Sequence, residues 1–263
     1  MLSQAVNTLA SATFLSRKAV FENMRPAQLF VLSTHSDTSL QMIKTCTLKA
    51  SLNIKYYSEW ETTIHVTTSA GLFSEIYVAS SFMNDEKVLN LTVDGELVER
   101  CILSETILII PHELDLVLRR IFSIYSSVQT NVEKLEVIMR GDAEDLGLKQ
   151  LLIGLKDKSN IAHVAFCDSR STGTERRVVE GLEEVMEALK VEKTLSFETL
   201  PLNVPLQHLA VPHLAIHSDV GLSDEFIENV LMTLPHTIYI ARSNSIKNVK
   251  GEGKRIRRAQ FEL

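Results

Sequence analysis

Only three cysteines occur among the 263 residues, Cys46, Cys101 and Cys167. They are odd in number, far apart and free of any short metal-binding spacing. That excludes a disulfide framework and fits free thiols in a reducing compartment. A basic excess is missing as well: 27 Lys and Arg face 33 Asp and Glu, a formal net charge of -6, whereas gripping phosphate backbones demands a basic face. Nucleic acid is therefore not an expected partner. No run approaches the ~18 consecutive apolar residues that span a bilayer, so no membrane partner is expected either. The first residues lack the compact apolar core of a secretory signal. Arg17, Lys18 and the absence of acids before Glu22 faintly suggest a transit peptide, but the stretch reads more simply as the entry to a helical unit. The expected location is cytoplasmic, nuclear or both, where the sequon Asn90-Leu91-Thr92 never meets the glycosylation machinery.

What is present is an ordinary globular composition, 45% hydrophobic and 23% charged, enough for a substantial core. Periodicity divides the chain. From Phe14 to Cys46 it is helical: Val20, Phe21 and Met24 fall at one-turn spacing, Pro26 opens a second helix with Leu29, Val31 and Leu32, and Leu40, Met42 and Ile43 mark a third. From Leu52 to Val98 it alternates, in Thr62–Val66 and Glu75–Val78, with turns at Ser69-Ala70-Gly71 and Asp94-Gly95. This predicts a small antiparallel meander.

After Pro111 helices and strands alternate. Leu114, Val117, Leu118, Ile121, Phe122 and Tyr125 form one helical stripe. Asp142 caps a helix with Leu148, Leu151, Leu152 and Leu155, and Thr174 caps one with Val178, Leu182, Val185, Met186 and Leu189. Ser223, Asp224 and Glu225 begin another. Strands are expected at Leu135–Ile138, Ala162–Phe166, Thr194–Phe197, His213–His217 and Thr237–Ala241. Strand centres separated by roughly 20 to 35 residues, usually with a helix between, are written like an irregular leucine-rich-repeat solenoid.

Phe21-Glu22-Asn23-Met24-Arg25-Pro26-Ala27-Gln28-Leu29 and Leu32-Ser33, then a short β region, then a degenerate leucine-rich stretch, resemble the nematode F-box proteins with a type 2 F-box-associated domain. The segment His208–His217, followed by Leu222 and a helix, is similar to one near the end of that domain. The resemblance implies a substrate-recognition subunit of a cullin–RING (SCF-type) ubiquitin ligase. Its N-terminal helices would bind a Skp-type adaptor and its associated domain a protein substrate. By that match Val20, Phe21, Met24, Pro26, Leu29 and Leu32 pack the module or face the adaptor. The chain departs from the family where Ala12-Thr13 replaces the usual opening Leu-Pro, and where Ser36-Asp37-Thr38 replaces a basic patch. Beyond Ile240 it turns basic, with Lys247, Lys250, Lys254, Arg255, Arg257 and Arg258. A solenoid ending there would expose a strand edge.

Sharper readings compete with plainer ones. His213 and His217 share a strand face but stand about 13 Å apart at ~3.3 Å per residue, too far for one ion, and His208 does not complete a site. Cys167 follows a strand, as nucleophiles often do, but no base is placed beside it. Thr172-Gly173-Thr174 lacks the Lys-Ser or Lys-Thr of a phosphate loop. Trp60 reads as a packing residue rather than a ligand platform, and the basic C-terminal run as a solvated tail rather than a nuclear-import patch.

The resulting expectation is an α/β chain in three parts. A three-helix F-box-like module occupies residues 1–50. A short antiparallel region and a leucine-rich-repeat-like β/α solenoid occupy 51–246, and a basic tail 247–263. No catalytic residue, metal or cofactor is expected. The alternative is a free-standing leucine-rich-repeat-like interaction module that no longer engages the ligase, and an unrecognised hydrolase or transferase is disfavoured because no nucleophile, base and oxyanion set can be assembled.

Overall fold

The computed structural model describes residues 2–58, 61–83, 86–103, 110–125, 131–139, 148, 155, 161–168, 178–179, 181–217, 222–233 and 237–240. Four helices open the chain: α1 (Leu2–Ser11), α2 (Phe14–Glu22), α3 (Pro26–His35) and α4 (Asp37–Thr45). Strands β1 (Ala50–Ser58), β2 (Glu61–Thr68), β3 (Phe73–Met83), β4 (Glu86–Val93) and β5 (Glu96–Leu103) follow. Helix α5 (Ile110–Ile124) leads to β6 (Asn131–Met139) and β7 (Ile161–Asp168). Then come α6 (Leu182–Ala188), β8 (Val191–Phe197), a 3-10 turn (Leu206–Leu209), β9 (His213–Ile216), α7 (Asp224–Thr233) and β10 (Thr237–Ile240).

All ten strands form one sheet in the order β10-β9-β8-β7-β6-β1-β2-β3-β4-β5. Strand β1 is the seam, pairing antiparallel with β2 on one side and parallel with β6 on the other. The meander β1 to β5 is antiparallel throughout, and β6 to β10 run parallel to one another. This corrects the expected fold class, a three-helix F-box-like module followed by a short antiparallel region and a leucine-rich-repeat-like solenoid. The antiparallel and parallel strands share one hydrogen-bonded ladder rather than following one another as units. The connection between β8 and β9 carries only the 3-10 turn where a repeat would place a helix. Helix α3 packs on β2, β3 and α5, so the N-terminal helices belong to the same body.

Register explains the core. Across the sheet Ile76, Ile64, Ile54, Leu135, Val164, Leu195, Leu214 and Ile238 stand side by side, and every one is buried. Phe21, Leu29, Ile43, Leu118, Ile121, Leu182, Val185 and Val230 from the helices join the same cluster. At ~1.5–3 kcal/mol for each large apolar side chain removed from water, this one face dominates the favourable side of the folding balance.

Local chemistry places the elements. Thr13 caps α2 by accepting from the Ser16 amide at 3.3 Å, and Ser36 caps α4 by accepting from the Ser39 amide at 3.1 Å. Pro26 opens α3, as its fixed φ favours. The next amide, Ala27, donates to Ser74 Oγ on β3 at 3.0 Å, so a helix end is satisfied by the sheet. Ser74 in turn donates to Asp94 at 3.2 Å. Asp94 (φ 49) and Gly95 (φ 81) make the two left-handed positions of the tight β4–β5 turn that the Asp-Gly pair predicts.

Some expectations shift. Helix α6 begins at Leu182 behind Gly181 (φ 73), and Val178 lies outside it and exposed. Thr172, Gly173, Thr174, Asp142, Leu151, Leu152, Trp60 and the stretch 247–263 lie outside the described residues. Leu148 and Leu155 are buried.

Because β1 and β8 feed one core, Leu52→Ala and Leu195→Ala should each cost about 2–5 kcal/mol and move the same single urea transition. Two separate transitions, each answering to one variant, would show that the antiparallel and parallel halves fold independently.

Candidate interaction face

The side chains that alternate with the core residues point to the opposite face of the sheet. Register aligns them in rows. One row runs Glu75, His65, Asn53, Lys134, His163, Thr194 and His213 from β3 to β9. The next runs Tyr77, Thr63, Lys55, Glu136, Ala165, Ser196, Ala215 and Tyr239 from β3 to β10. Among the described residues, the helices contribute to the core on the other face. The result is a polar and aromatic surface on extended backbone, with side chains held in register by the ladder.

Its centre is a charged group. Glu136 accepts from Lys134 at 2.8 Å and pairs with Lys55 at 3.2 Å, and the Lys55 ammonium lies 5.2 Å from the centre of the Tyr57 ring. Burial pushes the Glu136 carboxyl up, but hydrogen bonds and charge from Lys134 and Lys55 outweigh it and hold the group below the usual carboxylate range. The hydrogen bond to Glu136, working against burial, lifts Lys55 above the ordinary lysine range. To one side His65 and Glu75 are hydrogen-bonded at 3.0 Å, with Phe73 5.2 Å from the His65 ring. On the same side the Tyr77 hydroxyl donates to Glu61 at 3.3 Å.

Catalytic readings find little here. Cys167 lies within β7 rather than after it. Burial, then the nearby Glu136 and Glu198 carboxylates, push its thiol up, so it stays protonated and weakly nucleophilic at neutral pH. Among the described residues no group of three His, Cys, Asp or Glu side chains is arranged to hold a metal ion.

The residues matched to the F-box positions separate by burial. Phe21, Pro26, Leu29 and Leu32 are inside this chain's own core, and Met24 is partly buried against it. Val20 is 43% exposed, and Phe14 and Leu15 of the same helix are 45% and 75% exposed. Of the six, only Val20 stands open to a partner, and its apolar neighbours on α2 lie outside the set named from sequence. The Lys55–Glu136 pair also escaped sequence reading, because its members lie far apart in the chain. Its only local signal is the alternation that marks Lys55 as facing away from Ile54 and Tyr56.

No family model matches the chain, and no curated protein matches it. Among solved structures, a probable ornithine cyclodeaminase from Bordetella pertussis Tohama I is similar over 82% of this chain and 90% of its own, with 10% identity and a TM-score of 0.21, too slight to carry an argument. Among the described residues no helix is long and apolar enough to cross a membrane.

The charged centre generates a pH dependence. Glu136 titrates below its unfolded value of about 4.3, so its contribution is complete above that value and fades as pH falls through the lower folded one. Glu136→Gln should lower the urea midpoint at pH 7, and the deficit should shrink as pH falls through the acid range; a deficit that stays equal into acid would refute the pairing. Cys167 should alkylate with iodoacetamide more slowly than a free cysteine at pH 7.5, as read by peptide mass spectrometry.

Proposed function

We propose that this chain is a protein-binding subunit that brings a client to a cullin–RING ubiquitin ligase, contacting a Skp-type adaptor through its N-terminal helices and the client through the polar face of the sheet. The observation that carries the binding part is that face: Lys55, Glu136, Lys134, His163, Tyr77 and Tyr239 stand in register on rigid strands, with no described helix over them. Tyrosine and charged side chains fixed by a ladder lose little conformational freedom on binding, which suits recognition of another protein. The adaptor part rests on the sequence resemblance and on Leu15 and Val20, apolar side chains that α2 leaves in solvent. A subunit of this kind needs no chemistry of its own, because bridging raises the effective concentration of the client near the conjugating machinery.

A second reading, a free-standing interaction protein without a ligase, is supported by the burial of Phe21, Leu29 and Leu32, which leaves them little surface to offer an adaptor. Charge at those positions would unfold the chain, so the test uses exposed ones. The parent should retain a Skp-type adaptor in a pull-down, and Leu15→Glu with Val20→Glu should release it while the thermal midpoint stays within a few degrees. If the parent retains no adaptor, the ligase reading fails and the free-standing one stands. Retention by the double variant would place any adaptor contact elsewhere.

A further inference from the structure

One row of the polar face crosses the whole sheet. Beyond Tyr77 it continues to Thr92 on β4 and Leu97 on β5, so each of the ten strands supplies one member. Lys55 on β1 and Glu136 on β6 occupy its midpoint, with four strands beyond each. The two halves differ in bulk. The β1 side carries Tyr77 and, at the margin, Leu97, which is 50% exposed. At matching distances on the β6 side the row drops to Ala165, Ser196 and Ala215 before Tyr239 closes it.

Such a row is complementary to itself. A two-fold axis parallel to the strands, above the junction of β1 and β6, lays the face of one copy on that of another and exchanges strands at equal distance from the junction. Lys55 then faces Glu136 of the second copy, and Glu136 faces its Lys55, so four charges alternate around the axis. Lys55 keeps 39% and Glu136 21% of its side chain in solvent, which leaves both able to reach across. Tyr77 comes over Ser196, a large ring over a small side chain. Thr63 and Thr92 come over Ala165 and Ala215, and Leu97 over Tyr239. In the neighbouring row Lys134 comes over Asn53 and Glu75 over Thr194. His65 meets His163, each imidazole beside its own carboxylate, Glu75 at 3.0 Å and Glu133 at 3.8 Å. No two carboxylates and no two ammonium groups are opposed in either row. The same axis carries a twisted sheet onto one of identical twist, so the faces nest as aligned sheets do.

We propose that this face is an isologous dimer interface, with a second copy of the chain lying on the first across the Lys55–Glu136 centre. Ten strands at ~4.8 Å spacing and about five residues of ~3.3 Å along each give a face on the order of 700 Å² per copy. Each partner of a stable complex buries ~800 Å². Charge also selects the alignment. An axis over β1 itself would set Lys55 on Lys55, and one over β6 would set Glu136 on Glu136, so the neighbouring alignments are penalised. The dimer stands on register alone. It covers the face through which a client is engaged, and that consequence, a face closed until a client displaces the second copy, rests on the proposed function.

Sedimentation equilibrium of the full chain tests this, and the parent should be dimeric at about 100 µM. Lys55→Glu and Glu136→Lys should each weaken association at least about tenfold, because each sets like charges across the axis. Ser196→Tyr should do the same by filling the space opposite Tyr77. Mixing the Lys55→Glu and Glu136→Lys chains should restore a dimer, since both central pairs are then Glu with Lys again, an outcome that loss of folding cannot produce. A parent that stays monomeric, variants that dimerise as the parent does, or charge variants that remain apart when mixed would overturn the proposal. The adaptor pull-down reads α2 and is independent of each of these results.

Discussion

The double pairing of β1 holds this architecture together. A strand that bonds antiparallel on one edge and parallel on the other must present the same alternation to both neighbours. Leu52, Ile54 and Tyr56 therefore have to align with Ile64 and Val66 on one side and with Leu135 and Val137 on the other. A one-residue slip on either side would turn Lys55 into the core and Ile54 into solvent. The meander and the parallel array are consequently not free to adopt separate registers, and the N-terminal helices find one continuous apolar surface on which to lie.

The same constraint builds the polar face. Once the core residues are fixed, every intervening side chain is fixed as well, and Lys55 meets Glu136 because Ile54 meets Leu135. The ion pair thus follows from hydrophobic register and does not establish it, in keeping with the modest worth of partly exposed charge pairs. At the entrance to the seam Leu48 bridges to Tyr125, and the chain reverses there through the strained Thr47 at φ 48.

Individual elements were legible where the signal is local. The helices behind Pro26 and Pro111 and the Asp94-Gly95 turn fall where proline geometry and left-handed preference put them. The assembly was not. Periodicity states that Leu52 and Leu135 are apolar on one side, but nothing near either residue says that they are neighbours. A parallel run separated by helices therefore reads as a leucine-rich-repeat-like solenoid that follows the β region. The start of α6 was missed because Gly181 acts as its cap through backbone freedom, without a side-chain oxygen to announce it. For the candidate site, the alternation revealed which positions leave the core, while the rows they form required the register.

The seam also sets an order of events at the ribosome. Strand β1 leaves the exit tunnel with β2 to β5 soon behind it, but its second neighbour, at residues 131–139, comes only after the meander and α5 have been made. Throughout that interval the nascent chain carries an open strand flank rich in Leu, Ile and Tyr, the kind of edge on which polypeptides stick to one another. The time taken to make the segment between β5 and β6 therefore sets how long each newborn molecule carries that unpaired flank.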